Sequence, residues 1–191
     1  MIGILDVGFG NVESIKRVLL ELGVHPIIVS DSLSITKCSH LIMPGVGEFD
    51  SVISSFHEKG MWDSMNDFLH DPCRKYLGIC VGMQILFEDS EEGNCQGFSI
   101  YKGSIVRLCS SDGLKLPPHM GFNRFTNPVS FLSDDRFYYM HSFAFVANSD
   151  TAGCVNYGDR VIAGFIENNN NWGAQFHPER SGHSGLRFFK D

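Results

Sequence analysis

Gly78-Ile79-Cys80-Val81-Gly82 lies between a short apolar run, Tyr76-Leu77, and a helix-like pattern, Met83-Gln84-Ile85-Leu86-Phe87. No other stretch restricts the fold as much. Glycines flanking a cysteine let the backbone turn sharply from a strand into a helix. The side chain is then held strained and exposed at the helix N-terminus. Unsatisfied N–H groups and the helix dipole at that point favour a thiolate. Taken alone, the pentapeptide would serve equally well as an inert core cysteine between two turn glycines, so its surroundings must decide.

Those surroundings read as alternating strands and helices. Ile2–Leu5 is a strand. Asn11 can cap a helix running to about Leu22, with Val12, Ile15, Val18, Leu19 and Leu22 on one face and Gly23 as its stop. Ile27–Val29 and Leu41–Met43 are further strands. The loop Pro44-Gly45-Val46-Gly47 leads to a helix beginning near Glu48, and another covers roughly Met61–Leu69. Tyr76–Ile79 is the strand that feeds Cys80. This order predicts an α/β fold with a mostly parallel central sheet and helices on both faces. The second half is strand-rich: Ser104–Leu108, Arg136–His141, Phe143–Ala147, Thr151–Asn156, Val161–Ile166 and Gly173–Phe176. The Asn168–Asn171 run is a turn between two strands, and a helix over about Gly182–Lys190 comes last.

A length of 191 residues suits one domain with one substantial core, covering 1–191. The net charge of −7 supplies no basic field for nucleic acid. No apolar run is long enough to span a membrane, and the first residues read as a strand rather than a signal peptide. A cytoplasmic location is expected. None of the six cysteines forms a Cys-x-x-Cys pair, so ordinary thiols are expected, with Cys80 set apart.

His177-Pro178-Glu179 follows the strand Gly173–Phe176 directly. A thiol nucleophile needs a base that can later protonate the leaving group, and imidazole titrates in the right range. Glu179, two residues on, can turn back to fix the tautomer. Alone, His-Pro-Glu is a strand-ending turn, and a cysteine elbow elsewhere changes its weight. The Pro44–Gly47 loop is the third piece. Its glycines let backbone N–H groups approach an oxyanion, with the Val81 N–H as a second donor. In an open α/β sheet, all three would gather beyond the carboxyl ends of strands.

These pieces, in this order and over essentially the whole chain, resemble the triad (class I) glutamine amidotransferases, a flavodoxin-like α/β fold. Within the class, five blocks are most similar to the glutaminase subunits of imidazole glycerol phosphate synthases. They are Asp6–Asn11, Pro44–Phe49, Gly78–Gln84, Pro118–Asn123 and Gln175–Ser181. The resemblance implies a glutaminase that makes glutamate and ammonia through a cysteine thioester. Cys80 would be nucleophile, His177 base and acid, and Glu179 its orienting group. Val46, Gly47 and Val81 would form the oxyanion hole, while Gln84, Ser142 and Phe143 hold the glutamine. Asn11, Phe122, Tyr138 and Arg180 would face the ammonia exit and a (β/α)8-barrel synthase (cyclase) partner in a heterodimer. No cofactor is implied. The ammonia would serve imidazole glycerol phosphate formation in histidine biosynthesis.

Two positions depart from the pattern: the family usually carries Trp where Phe122 stands and Lys where Arg180 stands. Both lie on the implied partner face. A paralogous glutaminase supplying an amidino-sugar synthase of surface polysaccharide is the alternative. A catalytically silent regulatory subunit is the non-enzymatic one.

Other motifs carry less. Gly8-Phe9-Gly10-Asn11-Val12-Glu13 has Glu13 where a dinucleotide fingerprint needs its third glycine. His119 and His141 have no carboxylate or thiol at metal-ligand spacing and are expected to be structural or interface residues. Tyr138 and Tyr139 alternate on a strand, one toward the core and one outward. Glu88-Asp89-Ser90-Glu91-Glu92 reads as a solvated acidic turn.

Overall fold

The computed structural model describes residues 1–109, 117–127, 129, 132, 135–149 and 151–190. β1 (Ile2–Leu5) leads to α1 (Val12–Glu21), where Asn11 caps the first turn by accepting the Ser14 N–H at 3.1 Å. β2 (Ile27–Val29), α2 (Ser32–Thr36), β3 (His40–Met43), α3 (Phe49–Glu58) and α4 (Trp62–His70) follow. β4 (Lys75–Ile79) ends at Cys80, which opens α5 (Val81–Gln84). Then come β5 (Asp89–Ser90), β6 (Ser104–Arg107), β7 (His119–Asn123), β8 (Phe137–His141) and β9 (Phe143–Ala144). β10 (Gly153–Tyr157), β11 (Arg160–Glu167), β12 (Asn171–Ala174), a 3-10 turn at Pro178–Arg180 and α6 (Gly182–Lys190) complete the order.

The main sheet has seven strands in the order β10-β11-β12-β4-β3-β1-β2. β12, β4, β3, β1 and β2 are mutually parallel, and β11 and β10 extend the sheet antiparallel. Parallel central strands are covered on both faces, and the alternation of side chains shows it. Leu41, Met43 and Tyr76 point into a core with Val52 and Phe56 of α3 and Met65 and Phe68 of α4. Ile4, Ile42 and Ile79 point the other way, against Ile15 and Leu19 of α1. A third cluster, built around Phe137, Phe165, Phe176 and Phe188, joins the antiparallel strands to α6.

Two sequence expectations require correction. The pattern Met83–Phe87 forms no extended helix: α5 is a single turn ending at Gln84. Beyond it the carbonyls of Ile85, Leu86 and Phe87 accept from Phe98, Tyr101 and Ser99, so the 98–101 loop takes the acceptors a longer helix would use. The acidic run 88–92 is likewise no solvated turn. Asp89–Ser90 is a strand, and Glu88 accepts the Gly103 N–H at 2.8 Å. Glu91 accepts the Arg107 N–H at 2.7 Å, and Glu92 accepts the Phe49 N–H at the start of α3 at 2.8 Å. α2, β5 and β7 are additional to the predicted elements, and β9 is shorter than predicted. Three-dimensional pairing, rather than local pattern, creates these differences: β7 exists because it lies against β8, with Met120 opposite Met140 and Phe122 opposite Tyr138.

Candidate active site

Adjacent strands deliver the three predicted pieces. β4 ends at Cys80, and its neighbours in the sheet are β3 on one side and β12 on the other. Met43, the last residue of β3, pairs with Gly78; Ala174, the last of β12, pairs with Ile79. The Pro44–Gly47 loop and the Gln175–Glu179 segment therefore flank Cys80 at the carboxyl ends of the parallel strands.

The elbow is strained. Cys80 has φ 52° and ψ −110°, a conformation that a residue with a Cβ holds only when its surroundings impose it. Close packing supplies the imposition. A Cβ on Gly78 would collide with the Gly82 carbonyl, and one on Gly82 would come within 2.6 Å of the Met43 oxygen. The Pro44–Gly47 loop is pressed onto the elbow, since a Cβ on Gly45 would strike the Ile79 carbonyl oxygen. Gly47 adopts φ +137°, beside Phe9, so the loop after β1 packs on this one. The one-turn α5 carries far less dipole than the longer helix expected; electrostatic support for the sulfur falls to its side-chain neighbours.

His177 is one such neighbour. It is buried, its Nδ1 pairs with Glu179 Oε1 at 2.9 Å, and the Glu179 side chain is itself buried. Nε2 is buried and makes no hydrogen bond of formed geometry. The Cys80 sulfur is near enough to act on the imidazole and favour its charged form. Burial disfavours the imidazolium, but Cys80 and Glu179 outweigh it and push His177 up to about 10. The segment is anchored by the His177 N–H donating to the Tyr138 carbonyl at 2.8 Å and by the Ser181 hydroxyl donating to the His177 carbonyl at 2.6 Å.

A pocket of about 110 Å³ opens over the sulfur, lined by Val46, Gly47, Cys80, Gln84, Glu92, Met140, His141, Ser142 and Phe143. It thus joins the nucleophile to two expected oxyanion-loop residues and all three expected substrate-binding residues. Val81 begins α5, where first-turn N–H groups have no helical acceptor. A larger cleft of about 500 Å³ opens at the amino-terminal end of the strands, between Ile2, His40, Lys75 and Trp172. It lies at the far end of β4 from Cys80.

The expected partner-facing residues are placed as follows. Phe122, Tyr138 and Arg180 come together: the Phe122 and Tyr138 rings meet edge-on at 5.4 Å, and the Arg180 guanidinium sits 4.5 Å over the Tyr138 ring. Asn11 is exposed at the head of α1, with its side chain engaged in capping. Tyr139 is fully buried, as the alternation requires. His119 and His141 are buried and bonded to each other, Nδ1 to Nε2 at 3.0 Å. Burial, with His119 close by, lowers His141 to about 3, so it is neutral. Among the described residues no group of three or more His, Cys, Asp or Glu side chains is arranged to hold a metal ion. Nor is any helix long and apolar enough to cross a membrane.

Sequence reasoning missed Glu92, Met140 and Gln175. Gln175 Nε2 lies 3.6 Å from the Cys80 sulfur, and the Met140 carbonyl is 3.9 Å from it. Gln175 had a positional signal only: it stands two residues before His177, just beyond the end of β12. Met140 and Glu92 had none, because only tertiary pairing brings them to the pocket.

Known proteins resemble this chain along almost its whole length. Residues 3–190 match the family described as glutamine amidotransferase class-I. A Staphylococcus epidermidis protein named imidazole glycerol phosphate synthase subunit HisH is 36% identical over 186 residues, 97% of this chain and 93% of the relative. Proteins of the same name from Leptospira interrogans and Bacillus mycoides are 34% and 37% identical, each across 100% of this chain and 98% and 93% of theirs. A crystal structure of a glutamine amidotransferase superposes with a TM-score of 0.77 at 17% identity, covering 99% of this chain and 95% of that one. A structure of PurLQS from Thermotoga maritima gives 0.65 at 16%, with 99% and 95% covered.

Proposed function

This chain belongs to the class I glutamine amidotransferases, and we propose that it is the glutaminase subunit of an imidazole glycerol phosphate synthase. It hydrolyses L-glutamine and passes the ammonia to a synthase partner. One observation carries the reading: a strained cysteine at the end of β4 stands beside a buried imidazole whose Nδ1 is held by a buried carboxylate. The names of the relatives at 34–37% identity favour the histidine pathway.

In the proposed reaction the Cys80 thiolate attacks the side-chain carbonyl carbon of glutamine. The carbonyl electrons move to oxygen, where the Val81 N–H and the Val46–Gly47 peptide receive the charge. As the tetrahedral intermediate collapses, the C–N bond breaks and the His177 imidazolium protonates the leaving ammonia. His177, now neutral, takes a proton from water as it attacks the thioester. Glutamate leaves and the Cys80–His177 pair is restored. Glu179 keeps Nδ1–H in place, so that Nε2 is the nitrogen that exchanges protons. Gln84 and the Ser142–Phe143 backbone orient the substrate. Ammonia leaves past Asn11 toward a (β/α)8-barrel docked on Phe122, Tyr138 and Arg180. In the free chain activity is low, and docking raises it by reorienting the Val46–Gly47 peptide. The reading treats 1–191 as one glutaminase domain working in the cytoplasm.

The test is a glutaminase assay of the chain alone and with a purified barrel synthase and its nucleotide substrate. Turnover should rise strongly in the complex; equal turnover in both would remove the gating step. Cys80→Ala should abolish glutamine-dependent synthesis while synthesis from free ammonia persists. A variant that still hydrolyses glutamine would remove Cys80 as nucleophile.

A further inference from the structure

Beside the thiol lies a buried polar chain that the triad does not account for. Gln175 is fully buried, and its Nε2 points at the Cys80 sulfur across 3.6 Å. Its Oε1 accepts from Gln84 Nε2 at 3.2 Å, and Gln84 Nε2 also donates to the Phe143 carbonyl at 2.9 Å. We propose that Gln175 is a positioning residue for the nucleophile: its amide N–H, aimed by Gln84, holds the Cys80 sulfur and supports its negative charge. The proposal rests on the reading of Cys80 as the nucleophile.

Which end of each amide faces which neighbour is normally ambiguous, because oxygen and nitrogen are alike in shape. Here one fixed point removes the ambiguity. A backbone carbonyl can only accept, so the Gln84 atom on Phe143 must be the nitrogen. That nitrogen also meets Gln175, so the Gln175 atom facing it must be the oxygen. The remaining end of Gln175 is its NH₂ group, and it faces sulfur. The same carbonyl polarises the chain in the other direction. It accepts from His141 Nδ1 at 2.8 Å, which leaves His141 Nε2 to accept from His119 Nδ1. His119 Nε2 then accepts from Asn123 Nδ2 at 2.6 Å. Every member has one consistent donor direction, and a largely buried network connected in this way holds its side chains in place.

Register explains why the donor is there. β12 and β4 are parallel neighbours with Ala174 opposite Ile79, so the next residues, Gln175 and Cys80, leave the sheet side by side. A hydrogen bond given to the charged form of a group favours that form. The donor therefore acts twice in each turnover. It supports the thiolate before attack, and again when the thioester breaks and charge returns to sulfur. The titratable groups facing the sulfur are His177 with Glu179 behind it, His141 from β8, and Glu92 from the loop after β5. Gln175 adds a donor whose strength does not depend on pH.

Gln175→Met keeps the approximate side-chain volume and removes the donor. The rate of Cys80 alkylation by iodoacetamide, followed by peptide mass spectrometry across pH, should shift upward by about one pH unit. With partner bound, kcat for glutamine should fall about ten- to hundredfold with KM within about threefold. Gln175→Glu, an isostere that needs no repacking, should move the alkylation profile the same way and keeps the test open if the methionine variant does not fold. Gln84→Glu takes away the group that aims Gln175 and should shift the profile although Gln84 does not touch sulfur. It should add little in the Gln175→Met background. An unchanged alkylation profile and unchanged kcat in a folded Gln175 variant would overturn the proposal, as would full additivity with Gln84→Glu. These results are separable from failure of the premise. An active Cys80→Ala would remove the nucleophile, whereas an inactive one with an indifferent Gln175 variant would remove only the role of the amide.

Discussion

His177 keeps its proton despite being buried, and that fact has a measurable consequence for stability. Burial pulls its pKa down; the Cys80 sulfur and Glu179 pull it up further, to about 10. The folded value exceeds the ordinary 6.5, so the imidazolium stabilises the fold fully below about pH 6.5. The contribution is lost as pH climbs through the folded value. Thermal melts from pH 6 to 10.5 should therefore show a steady decline, with a slope that cannot exceed about 1.4 kcal/mol per pH unit for one proton. Glu179→Gln should flatten the upper part of that decline and also reduce glutamine turnover, about a hundredfold or more, because the imidazole loses its tautomer lock. Parallel pH–stability curves for the two proteins would show that Glu179 does not hold the proton. Cys80, His177 and Glu179 were legible in the sequence because a thiol, an imidazole and a carboxylate announce their chemistry by type. Gln175 was legible only by its position two residues before His177, since an amide has no intrinsic reactivity and matters through its register with Cys80.

Glycines at the Cys80 turn and at the end of α1 act for different reasons, and substitution separates them. Gly78 has no room: a Cβ there would run into the backbone of Gly82. Gly23, past the end of α1, has φ +79° and nothing within 4 Å of a Cβ. Gly23→Ala should then cost only the left-handed backbone penalty, about 1–2 kcal/mol. Gly78→Ala must displace β4 or α5 and should cost more than about 4 kcal/mol, near the limit of what a marginally stable domain tolerates. Denaturant titration of both variants checks the order, and equal losses would mean that the elbow is not the rigid element argued here. Local pattern sufficed for the elements that stand on their own periodicity or caps, such as α1 behind Asn11 and α6. It failed where the partner defines the element. The short α5 looked longer because all its neighbours are apolar, and the acidic run looked solvated because its acceptors serve backbone N–H groups far along the chain.

At the scale of the whole molecule, the chemistry and the outer surface share strands. β8 presents Met140 and His141 to the pocket, while its Tyr138 carbonyl holds the His177 N–H. Tyr138 also stands in the aromatic group with Phe122 and under Arg180. Met120 and Phe122, two residues apart on the paired strand β7, are 62% and 51% exposed and so place two large apolar side chains on the surface together. An aromatic ring beside an arginine is the kind of anchor that dominates a protein interface. The expected loss on truncation is therefore at the partner and not in the fold. Phe122→Ala removes a half-exposed ring and should change unfolding free energy by no more than about 0.5 kcal/mol. It should weaken the complex with a barrel synthase by about tenfold or more, read by calorimetric titration, and lower glutamine-dependent synthesis at limiting partner in proportion. Because β8 joins the aromatic group to His177 through one backbone hydrogen bond, a partner that presses on Phe122 presses on the strand that anchors the base. If Phe122→Ala binds the barrel as tightly as the parent chain, docking lies elsewhere, and the strand pair β7–β8 serves only to hold the pocket wall.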